Sequence, residues 1–176
     1  MPVFARTKLL MEEFCVTYRP RLEFKYSGPN PQKAYPKIID IMLTILRVPR
    51  ENIQEKEFHW DRSKPEEKFK ITWEVLKDYD KFSYMVLVVD MSGTIKPSRE
   101  VGKEGDVMIE IEGVVRTEYP QDTVWQRSFF YEMFRMFYHK VFYQERRKRH
   151  VESCRDSMLN LQAEIKSFFN LLPKVV

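Results

Sequence analysis

From Asp122 to Leu172 the chain contains neither proline nor glycine, and nine aromatic residues fall between Trp125 and Tyr143. About fifty residues without a breaker predict one or two helices, with Asp122 or Thr123 as the expected cap. The aromatics are Trp125, Phe129, Phe130, Tyr131, Phe134, Phe137, Tyr138, Phe142 and Tyr143. At about 100° per residue they cover most of a helix circumference. Only a narrow strip through Ser128, Glu132, Arg135 and His139 is polar. A helix that is apolar nearly all round is expected to be buried on several sides. The stretch is therefore expected inside, either as plain core or lining a cavity or a partner surface.

The character changes after Tyr143. Gln144 to His150 is hydrophilic and contains the basic run Arg146, Arg147, Lys148 and Arg149. Then Val151, Cys154, Met158, Leu161, Ile165, Phe168 and Leu172 recur in alternating steps of three and four. That is a heptad seam, narrow enough to need a single partner surface. The partner is either the protein's own sheet or a second copy of the chain. Extended backwards in the same phase, the seam runs through Phe137, Met133 and Phe130, with Lys140, Gln144 and Arg147 breaking it.

Upstream, the periods are those of strands. Leu22, Phe24 and Tyr26 alternate with Arg21, Glu23 and Lys25, which predicts a strand around Phe14 to Tyr26, interrupted by Pro20. The Ser27 to Pro31 turn leads to a helix ending before Pro49, with Ala34, Ile38, Ile41, Met42 and Ile45 on its apolar face. A meander follows. One strand is expected from Asn52 to Trp60. A second carries Phe69, Ile71, Trp73 and Val75 on one face. A third, through Phe82 to Met91, is apolar on both sides and so asks for cover on both. A charged loop or hairpin tip is expected at 92–105, then a strand through Val107, Ile109, Ile111 and Val115. Short connections favour antiparallel neighbours. The fold class that results is α+β: an antiparallel meander of about five strands, one N-terminal helix and long C-terminal helical material. The 176 residues suit a single domain, divided into a sheet with its helix over 14–121 and a helical region over 122–172.

The order of these elements resembles the helix-grip arrangement of the START/Bet v1-like (SRPBCC) superfamily. The likeness runs from Leu22–Tyr26, through the helix ending near Leu46 and the strands from Asn52 to Glu118, to the aromatic helix from Asp122. It implies a sheet curved round a long helix, with an apolar ligand held between them. Trp73, Tyr84, Phe130, Phe134, Phe137 and Tyr138 are the residues expected to line such a space. The chain departs from the pattern in having one N-terminal helix and a second helical stretch beyond Tyr143.

Chemistry-bearing motifs are scarce. With five glycines, neither GxGxxG nor GxxxxGK[ST] occurs. No His pairs with another His or a Cys at zinc-ligand spacing except His150 with Cys154, and Cys154 belongs to the seam. No serine sits in a nucleophile elbow. The expectation is thus no catalytic residue, no metal and no cofactor. Two cysteines in unlike segments imply no disulfide framework and suggest a reducing, cytoplasmic setting. No apolar run approaches the roughly 18 residues of a membrane span. Three functions remain: a binding domain for an apolar small molecule, a homodimer joined through the seam, and RNA or ribosome contact through Arg146–Arg149, for which the net charge of +4 is a weak argument.

Overall fold

The computed structural model describes residues 10–17, 20–98, 102–119 and 125–169. It is an α+β fold: one six-stranded antiparallel sheet, a short helix near the N-terminus and a long one at the C-terminus. Strands β3 (Ile53–Asp61), β4 (Glu67–Asp78), β5 (Ser83–Ser98) and β6 (Gly102–Glu118) form the meander. In β4, β5 and β6 the odd-numbered apolar residues point to one side; in β3 a bulge at Glu55/Glu57 sets the even-numbered Phe58 and Trp60 opposite Ile71 and Phe69. Phe69, Ile71, Trp73 and Val75 are buried there with Met85, Leu87, Val89 and Met91, and with Val107, Ile109, Ile111 and Val115. Period-2 alternation makes this happen, because each strand can hide only one face at a time.

The expected strand at Phe14 to Tyr26 is in fact two. Strand β1 (Leu10–Phe14) pairs with 118 to 114 of β6, and β2 (Arg21–Pro29) pairs with 112 to 104 of the same strand. They are two halves of one edge, separated by an excursion opposite Gly113. Pro20 lies in the excursion, where its missing N–H costs no ladder bond. The Cys15 N–H still donates to the Gly113 carbonyl at 3.0 Å. The first strand therefore pairs with the last, and the order β1/β2–β6–β5–β4–β3 is compatible with a helix-grip arrangement.

Of the two readings of 92–105, the hairpin fits the described residues, and its strands run further than expected. Strand β5 continues to Ser98 and β6 begins at Gly102, so Gly93 and Gly105 sit inside the ladder opposite Val107 and Ile95. Helix α1 (Ala34–Leu46) follows a 3-10 turn at Pro31–Lys33. Asn30 does not cap it; Asn30 instead takes a left-handed conformation with φ 53° and makes no side-chain cap bond. Pro36 falls in the first turn, where no intrahelical donor is lost. Ala34, Ile38, Ile41 and Met42 are buried as the spacing predicts, and Leu46 joins them. Among the described residues no helix packs on the second face of β5. Val86 is buried and Tyr84 and Val88 half-buried there, beside the Thr72–Asp90 hydrogen bond and the Arg21–Glu112 ion pair of 2.7 Å.

The C-terminal material is one continuous helix from Phe129 to Phe168: α2 (Phe129–Tyr138), a π turn (His139–Tyr143) and α3 (Gln144–Phe168). Its N-cap is Ser128, whose hydroxyl accepts from the Tyr131 N–H at 3.3 Å. The expected caps Asp122 and Thr123 lie outside the described residues, as does Leu172. Cys154, Met158, Leu161 and Ile165 of α3 are fully buried in the same core as α1 and the sheet. The seam thus covers its own sheet, and the expectation of a self-association surface there is replaced by an intramolecular one. Its end is displaced by one residue: Phe169 stacks on Tyr26 at 4.3 Å, while Phe168 is part-exposed.

A second correction concerns the cysteines. Cys15 and Cys154 form a disulfide with a Cα–Cα distance of 5.5 Å. It bridges the excursion between β1 and β2 to the first buried turn of α3. Gly113 makes room for it, since a Cβ there would meet Met158 Sδ at 2.6 Å and each cysteine Sγ at 3.2 Å. The pairing removes the ground on which a reducing compartment was expected. No helix among the described residues is long and apolar enough to cross a membrane.

Candidate functional site

The inward stripe of the C-terminal helix is continuous. It runs Arg135, His139, Tyr143 and Arg147, then Val151, Cys154, Met158, Leu161 and Ile165. Below Arg147 the steps alternate three and four. Above it every step is four, and in a pure α-helix each such step drifts by about 40°. The π turn takes in an extra residue and keeps the stripe on one side. Strict α phase would carry the inward face from Cys154 back to Lys140 and Met136, with Met133 and Phe129 beyond them. The extra residue moves the inward face by one position, to His139 and Arg135.

That shift inverts the expected burial of α2. Two members of the polar strip are turned in: Arg135 is 4% exposed and His139 8%. The aromatics, expected inside, are turned out. Trp125 is 63% exposed, Phe134 65%, Phe142 62% and Phe130 61%, with Phe129, Phe137, Met133, Met136, Tyr138 and Val141 all above 40%. Burying one such side chain is worth about 1.5–3 kcal/mol. With exposures between 42% and 65%, the ten side chains each forgo roughly half of that gain.

Polar bonds hold the inward face. Tyr119 and His139 Nδ1 are 2.8 Å apart, and Arg147 Nη1 donates to His139 Nε2 at 3.0 Å. With Nε2 accepting, the neutral ring carries its proton on Nδ1 and donates to the Tyr119 oxygen. Burial, and then the Arg147 charge, hold the His139 pKa below its ordinary value. Arg147 Nε also lies 3.0 Å from a Glu13 carboxylate oxygen on β1, an ion pair not aligned as a hydrogen bond. Arg135 donates through Nη2 to Glu132 at 3.1 Å and faces the Tyr119 ring at 5.9 Å. Its Nε and Nη1 are buried without a hydrogen-bond partner.

One turn on, Tyr143 is clasped by the β4–β5 connection. Its hydroxyl reaches Ser83 Oγ at 2.6 Å and donates to Asp80 at 3.0 Å, and Ser83 in turn bonds Thr117 at 2.7 Å. His150 Nε2 meets Asp80 Oδ2 at 3.0 Å, and its ring stacks on Tyr79 at 4.9 Å. Burial alone would raise the Asp80 pKa. Hydrogen bonds from the Phe82 N–H, His150, Tyr143 and the Ser83 N–H outweigh it and hold the carboxyl below its usual range. Burial pushes the Tyr143 hydroxyl up to about 12, so it stays protonated and donates. Ser83 is 1% exposed and bonded to two other hydroxyls, with no histidine beside it. The cluster is a clasp for the π turn, without the open nucleophile–base geometry of acyl transfer.

The residues expected to line a ligand space are not brought together. Trp73 is buried in the core, 5.7 Å from the Tyr35 ring. Tyr84 lies on the sheet's other face and donates to Glu118 at 2.8 Å. Phe130, Phe134, Phe137 and Tyr138 are on the outward side of α2. The space between sheet and helices is filled by Ile38, Met42, Trp73, Leu87, Met158 and Leu161. An open hollow beneath α2 is lined by Met11, Met136, His139, Lys140, Gln144 and Arg147. The basic run divides: Arg147 turns in, whereas Arg146, Lys148 and Arg149 are exposed. Asp80, Ser83, Thr117 and Tyr119 were not anticipated as partners of the helix. The one signal for them was the polar strip itself, whose members at steps of four mark a face as well as the aromatics do. Among the described residues no cluster of three or more His, Cys, Asp or Glu has metal-binding geometry. No protein-family model matches the chain, and no curated protein is significantly similar to it.

Proposed function

We propose that the chain is a non-enzymatic binding module whose docking element is the outward aromatic face of α2. The observation that carries this reading is the inversion: a π turn directs Arg135 and His139 inward and leaves ten large apolar side chains in solvent. Contiguous exposed apolar surface of this kind marks a contact site, and π turns are frequent where a helix does more than pack. The small-molecule container is a poorer account, because the aromatics assigned to it face outward and the sheet's inner face is filled. A dimer through the α3 seam is poorer too, because that seam lies on the sheet. A START/Bet v1-like relationship is proposed on the order of elements alone, and it brings no ligand with it.

The test separates surface from core. Phe130, Phe134 and Phe137 are replaced together by serine, with Trp73→Ala as the core control. The triple variant is expected to melt within a few degrees of the parent and to lose binding of an apolar reporter dye. Trp73→Ala is expected to cost about 3–5 kcal/mol. A triple variant as destabilised as the control would show that the aromatics are core, and the docking reading would fall.

A further inference from the structure

We infer that the occupant of the α2 face is the surface of a lipid bilayer rich in anionic headgroups; this rests on the docking reading above. Three observations select it. The first is breadth. The apolar arc runs from Met136 round through Phe129, Phe137 and Phe134 to Tyr138, about 200° of the helix. A helix–helix contact with a second copy uses a far narrower stripe, and a bilayer is a partner that can cover so wide an arc. The second is direction. Among the described residues the protein body touches α2 through Arg135 and His139, so most of the arc faces away from the domain; the hollow lined by Met11 and Met136 borders only its Met136 edge. The third is charge. Six of the chain's 30 basic residues and two of its 26 acidic ones fall between Ser128 and His150. This segment therefore carries the whole formal surplus of +4, and the rest of the chain balances.

Because the inward stripe is continuous, so is the outward side. The aromatics of α2 are followed along one helix by exposed Lys140, Arg146, Lys148 and Arg149. Apolar insertion beside a cationic patch is the two-part signal that gives lasting attachment to anionic membranes. From Phe129 to Phe142 the helix is about 20 Å long, short of the roughly 30 Å of a hydrocarbon core. It would lie in the interface with Trp125 at headgroup depth.

The full chain is sedimented with vesicles of phosphatidylcholine alone or of phosphatidylcholine mixed with phosphatidylglycerol. Partition onto the anionic vesicles is expected to be at least about tenfold stronger and to weaken as salt is raised. Phe130→Ser/Phe134→Ser/Phe137→Ser should abolish binding to both compositions. Arg146→Gln/Lys148→Gln/Arg149→Gln should remove most of the anionic preference. A parent that stays in the supernatant with anionic vesicles, or aromatic variants that bind as well as the parent, would overturn the inference. If that unbound parent forms a dimer which the aromatic variant disperses, the face joins two copies instead; docking then stands and the lipid does not. Unfolding of the aromatic variant would remove the docking reading itself.

Discussion

His139 sits where a proton would do most damage. Its Nε2 must accept from Arg147, and Tyr119 and the Arg135 guanidinium crowd the same side of the helix. A second cation there would face Arg147 with no carboxylate between them, since Glu13 meets Arg147 from the β1 side. The folded-state pKa is lowered, by burial first and by Arg147 second. The unfolded chain, with an ordinary value of about 6.5, takes up the proton first as pH falls. Stability is therefore intact above about 6.5 and declines below it, until the lower folded value is reached. Asp80, also lowered, contributes its own loss at more acid pH, below the ordinary carboxylate range. The melting temperature is expected to fall between pH 7.5 and pH 5.5, and His139→Gln, which cannot titrate, should flatten that fall. Parallel pH profiles for parent and variant would show that His139 is not the cause.

The π turn explains both what α2 displays and why its display was illegible in the sequence. Local alternation was enough for β4, for the inner faces of β5 and β6, and for α1, because each of these buries one face at its own period. The alternation at Leu22 to Tyr26 was also real, but nothing local says that residues 10–14 continue the same edge beyond an excursion at Gly113. For the C-terminal helix, the aromatic residues were all visible and their side was wrong. One extra residue in His139–Tyr143 turns everything before it by about 100°, and no local pattern marks where that residue enters. The energetic reason is also non-local: with Tyr143 held by Asp80 and Ser83, His139 meets Tyr119 on the inward side one turn earlier. Deleting Val141, which is 53% exposed, should restore α phase and turn Met136, now 55% exposed, onto the body. A cysteine at position 136 is expected to react quickly with a thiol reagent in the full-length chain and at least about tenfold more slowly in the deletion. Equal labelling rates would mean that the π turn does not set the phase.

Taken whole, the molecule is closed by its two ends. The first strand pairs with the last, and the helix that follows crosses back over that pair at Gly113, where Cys15 meets Cys154. The bridged residues are 139 apart in sequence, so the bond loops most of the chain. In a two-helix or hairpin unit such a link would be redundant. Here the pairing of β1 and β2 with β6 is among the most distant contacts in the protein, and it is the pairing that an unfolded chain finds hardest to recover. A long enclosed loop gives a large loss of unfolded-state entropy, and typical disulfides stabilise by about 2–4 kcal/mol. Reductant should therefore lower the urea midpoint by a corresponding amount. Cys15→Ser/Cys154→Ser should match the reduced parent and be indifferent to reductant. Native secondary structure should survive reduction at room temperature, because Met158, Leu161 and Ile165 still seat α3 on the sheet without the bond. The aromatic face would then still be displayed, only on a less stable frame. A parent whose intact mass shows two free thiols after aerobic purification, or whose urea midpoint ignores reductant, would remove this closure and leave the β1–β6 edge held by its ladder alone.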